Sequence, residues 1–121
     1  MTIVANDGIM LKPYVVGKMV DSSGKTVIQN ERTEVSNVAS VTTTDKIKSL
    51  LKSVIVEDPT QGTGYAYYMK DYDLIGKTGT AQIANERGGG YLQGKEDIIS
   101  SFSGIYPKSN PQVIIYASVK K

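Results

Sequence analysis

Residues 43 to 58 carry the clearest periodic signal in the chain, and they bound how much helix it can form. Ile47, Leu50, Leu51, Val54 and Ile55 fall at the i, i+3, i+4, i+7 and i+8 spacing of one helical face. Thr43 or Thr44 can cap the start, and Asp45 suits the positive end of the helix dipole. Pro59 disfavours helical backbone at the residue before it, so the helix must end by Asp58. Lys46, Lys48 and Lys52 then form the solvated side.

Around this helix the chain reads as strands. Tyr14 to Val20 and Lys25 to Gln29 are extended runs, and Asp21-Ser22-Ser23-Gly24 between them is a turn sequence, which predicts a β-hairpin. Further on, Leu74 to Ile83, Ile98 to Tyr106 and Val113 to Val119 each carry a strand pattern. Pro107-Lys108-Ser109-Asn110-Pro111 joins the last two tightly, whereas the link from Ile83 to Ile98 is longer and holds Gly88-Gly89-Gly90. Thr2 to Ala5 is a short, mostly apolar stretch that runs into Asn6-Asp7-Gly8, a helix-ending or turn signal. Hairpin, helix, then three strands predicts an α+β fold, an antiparallel sheet with a packed helix.

Composition narrows the chemistry. At 121 residues the chain makes about one small domain. It has neither His nor Cys, which excludes disulfides, thiolate nucleophiles, Ser-His-Asp triads and nearly every zinc site, so no metal or cofactor is expected. Acid-base work falls to Lys, Tyr, Asp or Glu. With 14 Lys+Arg against 12 Asp+Glu, the net charge of +2 is too small to mark a nucleic-acid surface. No aliphatic run exceeds three residues, so neither a transmembrane helix nor a signal peptide is read.

The informative segment is Gly76-Lys77-Thr78-Gly79-Thr80-Ala81-Gln82. A phosphate-binding loop would need a glycine at position 71, where Asp71 would repel phosphates, and a helix after the motif, where the chain runs into a Gly-rich loop. The better reading keeps Lys77 to Thr80 on an edge strand bordering a cleft, where an extended peptide-like ligand can lie as an added strand. Alternation puts Thr78 and Thr80 on one face, with Lys77 directed the other way. Gly79 lets a ligand approach the backbone. Two hydroxyls and a cation suit a ligand carboxylate, and a strand N–H can help to hold an oxyanion. Read alone, Lys77 is an exposed strand lysine and the threonines are strand formers.

Lys-Thr-Gly is the third motif of the serine penicillin-binding proteins and β-lactamases. Gly76 to Gln82 resembles the monofunctional (class B) penicillin-binding transpeptidases, and three neighbouring segments agree. Ala5-Asn6-Asp7-Gly8 with Lys12-Pro13 resembles the stretch these enzymes carry ahead of the helix, and Gly62-Thr63-Gly64 their segment before the Lys-Thr-Gly strand. Ala84-Asn85-Glu86 and Gly90-Tyr91-Leu92 resemble the connection after that strand in division-type members from Gram-positive bacteria. The resemblance covers essentially the whole chain. It implies a penicillin-binding/serine β-lactamase-like fold and a parent D,D-transpeptidase that cross-links peptidoglycan stem peptides and is acylated by β-lactams.

The same resemblance implies roles for the residues. Lys77 supplies positive charge and sets the proton network. Thr78 and Thr80 hold the terminal carboxylate, Gly79 admits the ligand, the Thr80 N–H joins the oxyanion hole, and Gln82 flanks the site. It also places the parent at the extracytoplasmic face of the plasma membrane.

The family's S-x-x-K motif supplies the acylated Ser and its activating Lys. Ser22 to Lys25 and Ser49 to Lys52 have the spacing, but the first lies in the predicted hairpin turn and the second has a core-facing pattern after its Ser. No Ser has an Asn two positions later. Residues 1–121 are therefore expected to be one partial domain. It would be the C-terminal portion of a transpeptidase domain, without S-x-x-K, S-x-N and the final helix, inactive alone and prone to self-associate through open sheet edges. The alternative from another class is a non-catalytic α+β module that binds a partner strand at that edge.

Overall fold

The computed structural model describes residues 1–120. A short helix, α1 (Thr2–Ala5), leads to β1 (Ile9–Leu11), β2 (Lys18–Val20), β3 (Thr26–Gln29) and β4 (Glu34–Asn37). Helix α2 (Val41–Lys52) follows, then a 3₁₀ turn at Tyr65–Tyr67 and three longer strands, β5 (Ile75–Gln82), β6 (Ile98–Tyr106) and β7 (Val113–Lys120). The strands form three antiparallel sheets: β1 with β4, β2 with β3, and β5-β6-β7. This is the α+β architecture that the element order predicts.

The expected hairpin is β2–β3, shorter than its sequence runs and exposed throughout. Its turn is fixed locally. The Asp21 carboxylate accepts from the Ser23 and Lys25 N–H groups and the Ser23 hydroxyl, and Gly24 takes the left-handed φ of +84°. These bonds, the Ser23 hydroxyl foremost, hold the Asp21 carboxyl below the usual range. The β1–β4 pair at the root of the hairpin arm escapes sequence pattern, because three- and four-residue strands give alternation too little length.

Helix α2 corrects the sequence reading in three places. Its cap is Ser40, whose Oγ accepts from the Thr43 N–H at 3.1 Å, not Thr43 or Thr44. Thr44 instead lies buried inside the helix and donates its hydroxyl to the Val41 carbonyl at 2.8 Å. The helix also ends at Lys52, so Val54 and Ile55 reach the core from the following loop, and Leu50 is 69% exposed. Third, Lys48 is not solvated. At 6% exposure it points inward, and its Nζ donates to Asp7 Oδ1 at 2.6 Å with Asp45 at 3.5 Å. The bond to Asp7 raises the Lys48 pKa above its ordinary value against the opposing effect of burial. Lys52, half-buried, pairs with Asp73 at 2.9 Å.

Helix α2 packs against β5, and the core lies between the post-helix loop and the sheet. Ile55, Leu74 and Phe102 form its cluster, with Val54, Tyr68 and Tyr106 at the margin. Ile75 and Ile105, opposed in register, are both fully buried. Gly76 and Gly104 are also opposed, and the Phe102 ring occupies the space that side chains would need. A Cβ at Gly76 would stand 2.7 Å from the ring and one at Gly104 2.8 Å. Tyr67 stacks on that ring with centroids 4.0 Å apart. The glycine that opens the motif is thus a packing requirement.

Candidate active site

The three-stranded sheet runs β5-β6-β7, so Lys77 to Thr80 do lie on an edge strand, paired only with β6 among the described residues. The register sets Lys77 opposite Ser103, Thr78 opposite Phe102, Gly79 opposite Ser101, Thr80 opposite Ser100 and Gln82 opposite Ile98. Alternation therefore places Thr78 and Thr80 on the face shared with Gly76, where the Phe102–Tyr67 stack anchors the strand.

Lys77 is exposed, and its Nζ bends back along the strand to donate to the Thr78 carbonyl at 2.8 Å. The Thr78 hydroxyl, half-buried, lies 2.7 Å from the Thr63 hydroxyl. Gly79 is a close approach: a Cβ there would meet the Ser101 Oγ at 2.6 Å. Thr80 and Gln82 are exposed, and their side chains make no hydrogen bond among the described residues. The structure thus links Lys77 to Thr78 and leaves Thr80 and Gln82 free on the strand.

Thr63 is the residue that spacing alone could not assign to the site. Fifteen positions separate it from Thr78, and its loop is seated by contacts on both sides. The Gly64 N–H donates to the Val54 carbonyl at 2.8 Å. Cβ atoms at Gly62 and Gly64 would stand 2.5 and 2.9 Å from that same oxygen. Glycines on both flanks of a threonine were the available signal; their reason is close approach to backbone.

Both S-x-x-K spacings named above fall outside this edge. Ser22 and Lys25 are in the hairpin turn, and Ser49 and Lys52 are on α2, where Ser49 donates to the Asp45 carbonyl at 3.0 Å. A third pair, Ser118 and Lys121, escaped the sequence reading. Ser118 is an exposed residue of β7, and Lys121 lies outside the described residues. Among the described residues no cluster of His, Cys, Asp or Glu could hold a metal ion. A concavity on the outer face of α2, lined by Thr42, Lys46, Ser49 and Leu50, includes no motif residue. The edge of β5 presents a cation, two threonine hydroxyls and strand backbone, the groups that a carboxylate-bearing, strand-like ligand would need.

A helix-backed antiparallel sheet with Lys-Thr-Gly-Thr on its edge strand has the build of the penicillin-binding fold, and solved structures agree. Penicillin binding protein 3 of Mycobacterium tuberculosis, complexed with aztreonam, matches 98% of this chain with a TM-score of 0.86 and 29% identity, over 27% of its own chain. Penicillin Binding Protein 2X of Streptococcus thermophilus matches 98% of the chain with a TM-score of 0.85 and 26% identity, over 18% of its own. The chain belongs to the penicillin binding protein transpeptidase domain family, whose model matches residues 1–121. Among curated relatives, penicillin-binding protein PbpB of Mycolicibacterium smegmatis is 36% identical over 116 residues, 93% of this chain. Stage V sporulation protein D of Bacillus subtilis is 32% identical over 120 residues, 98% of this chain. In both cases the chain spans 17% of the relative's length.

Proposed function

We propose that these residues form the carboxylate-binding and oxyanion wall of a serine D,D-transpeptidase that cross-links peptidoglycan stem peptides and is acylated by β-lactams. The observation that carries the reading is the Lys77–Thr78–Thr63 arrangement on the open edge of β5. A stem peptide ending in a free carboxylate lies antiparallel to that edge as an added strand. The Thr78 and Thr80 hydroxyls donate to its carboxylate, and Lys77 supplies the opposite charge. The Thr80 N–H polarises the scissile carbonyl, where a serine from outside these residues attacks and expels the terminal residue. An amine of a second stem then takes the acyl group and frees the serine. A β-lactam presents a carboxylate and a strained amide to the same wall. Gly79 keeps the approach clear, and Gln82 flanks the far end.

The reading places the parent at the extracytoplasmic face of the plasma membrane, where its substrate is. The described residues include no helix long and apolar enough to cross a membrane. It assigns the serine and the S-x-N motif to a segment outside residues 1–121, so the chain alone acylates nothing. It further holds that the isolated chain self-associates through its exposed strand β7.

A chimera tests the reading. The aligned segment of Mycolicibacterium smegmatis PbpB is replaced by these 121 residues, and labelling by a fluorescent penicillin is followed. The chimera is expected to label, and Lys77→Ala to slow labelling by about 10²–10³-fold, the scale of one lost electrostatic stabiliser. Its melting temperature should hardly move, because Lys77 is exposed. A folded chimera that does not label, or a Lys77→Ala form that labels at full rate, rejects the assignment.

A further inference from the structure

We propose that Thr63 is a positioning residue for the Thr78 hydroxyl, so that the loop ahead of the sheet helps set the preference for ligands ending in a free carboxylate. The inference rests on the reading of Thr78 given above. A hydroxyl rotates freely unless a partner fixes it, and a carboxylate needs the proton directed outward. Thr63 lies 2.7 Å from Thr78 and can serve as the donor. The Thr63 O–H then points at Thr78 Oγ, and the Thr78 O–H is left to point at the ligand. Such a chain polarises the outer bond, since each donor makes the next oxygen a better one.

The arrangement is useful only if Thr63 itself is held, and the structure holds it twice. Gly62 and Gly64 press against the Val54 carbonyl, with the Gly64 N–H bonded to it at 2.8 Å. Upstream, the Asp58 carboxylate accepts from the Thr60 N–H at 2.8 Å, the Thr60 hydroxyl at 2.7 Å and the Gln61 amide at 2.9 Å, closing the turn that enters the loop. On the strand side, Lys77 donates to the carbonyl of the same Thr78, so both polar ends of that residue are engaged before a ligand arrives. Thr63 touches no reacting atom. It acts through Thr78.

The test uses the PbpB chimera and two competitors of the fluorescent label, benzylpenicillin and its methyl ester, which lacks the anionic carboxylate. Thr63→Val keeps the shape and removes the hydroxyl. It is expected to slow acylation by the free acid about fivefold to tenfold, the effect of one hydrogen bond, while the ester changes by less than about twofold. Thr63→Ser should restore the acid rate. Equal losses for acid and ester, no loss at all, or failure of serine to rescue would overturn the proposal. Thr78→Val separates the two levels of argument. If it leaves the acid-over-ester preference intact, the carboxylate role of Thr78 fails, whereas a shift at Thr78 with none at Thr63 removes the positioning role alone.

Discussion

Strands β5 and β7 are the two outer strands of one sheet, each paired with β6 over eight positions. By composition β7 should be the buried one. It reads Val-Ile-Ile-Tyr-Ala-Ser-Val-Lys, whereas β5 carries Lys, two Thr, two Gly and a Gln. The structure reverses this. The first two residues of β5, Ile75 and Gly76, are buried and all eight of β7 are exposed. Burial follows what lies over a strand. Helix α2, the post-helix loop and the Tyr67–Phe102 stack cover the start of β5, and no described element covers β7. The polar strand is therefore the one packed at its start, as the proposed site wall requires, and the apolar strand is the one left exposed.

The comparison breaks most strongly at Phe102, which supports β5 from the face it shares with Gly76 and Thr78. Phe102→Ala removes the ring from the Ile55–Leu74 cluster and the partner of Tyr67, and should cost about 3–5 kcal/mol by chemical denaturation. A loss below about 1 kcal/mol would mean that β5 is not held by this stack. Gly76→Ala tests the same packing from the strand. Its Cβ would meet the Phe102 ring at 2.7 Å and the Ser103 carbonyl at 2.6 Å, and the overpacking should cost about 1–3 kcal/mol. A neutral Gly76→Ala would show that the ring moves aside freely.

Lys48 sharpens the contrast through charge. Lys48→Met keeps the apolar stem and removes the bond to Asp7, and should cost about 1–2 kcal/mol at neutral pH, since Asp7 is half-exposed. The folded-state pKa of Lys48 is raised, so its contribution is fully present below the ordinary value of 10.5 and is lost as pH rises through the raised one. The gap between wild type and Lys48→Met should therefore stay level from pH 7 to about 10 and shrink only in stronger alkali. A gap that closes near neutrality would assign the effect to another group.

The smallest effect on stability is expected at β7. Tyr116 is 69% exposed, and Tyr116→Ser should change stability by no more than about 0.5 kcal/mol. The same change should weaken association in sedimentation runs across a concentration series. Wild-type chain that stays at 13.1 kDa at high concentration would remove β7 as an association surface.

The local signals were legible. Apolar alternation and the proline-bounded turn set β6 at Ile98–Tyr106 as read, and brought β5 and β7 within a residue at each end. Asp21 to Gly24 closes its turn by bonds among neighbours, so sequence suffices there. Lys77, Thr78, Gly79, Thr80 and Gln82 could be placed on one strand because strand period and glycine chemistry are properties of the segment itself, whereas its edge position is set by the sheet order. Tertiary structure decided what depends on distant partners. Lys48 turns inward because Asp7, 41 residues away, is there to meet it. Thr63 reaches Thr78 only because the Val54 carbonyl seats its loop. Leu50 stays wet although it fits the helical stripe, because α2 ends at Lys52 and the loop beyond supplies the core with Ile55 instead. A side chain's period and polarity are written in its neighbours along the chain. Its burial and its hydrogen-bond partner are set by segments that only folding brings near.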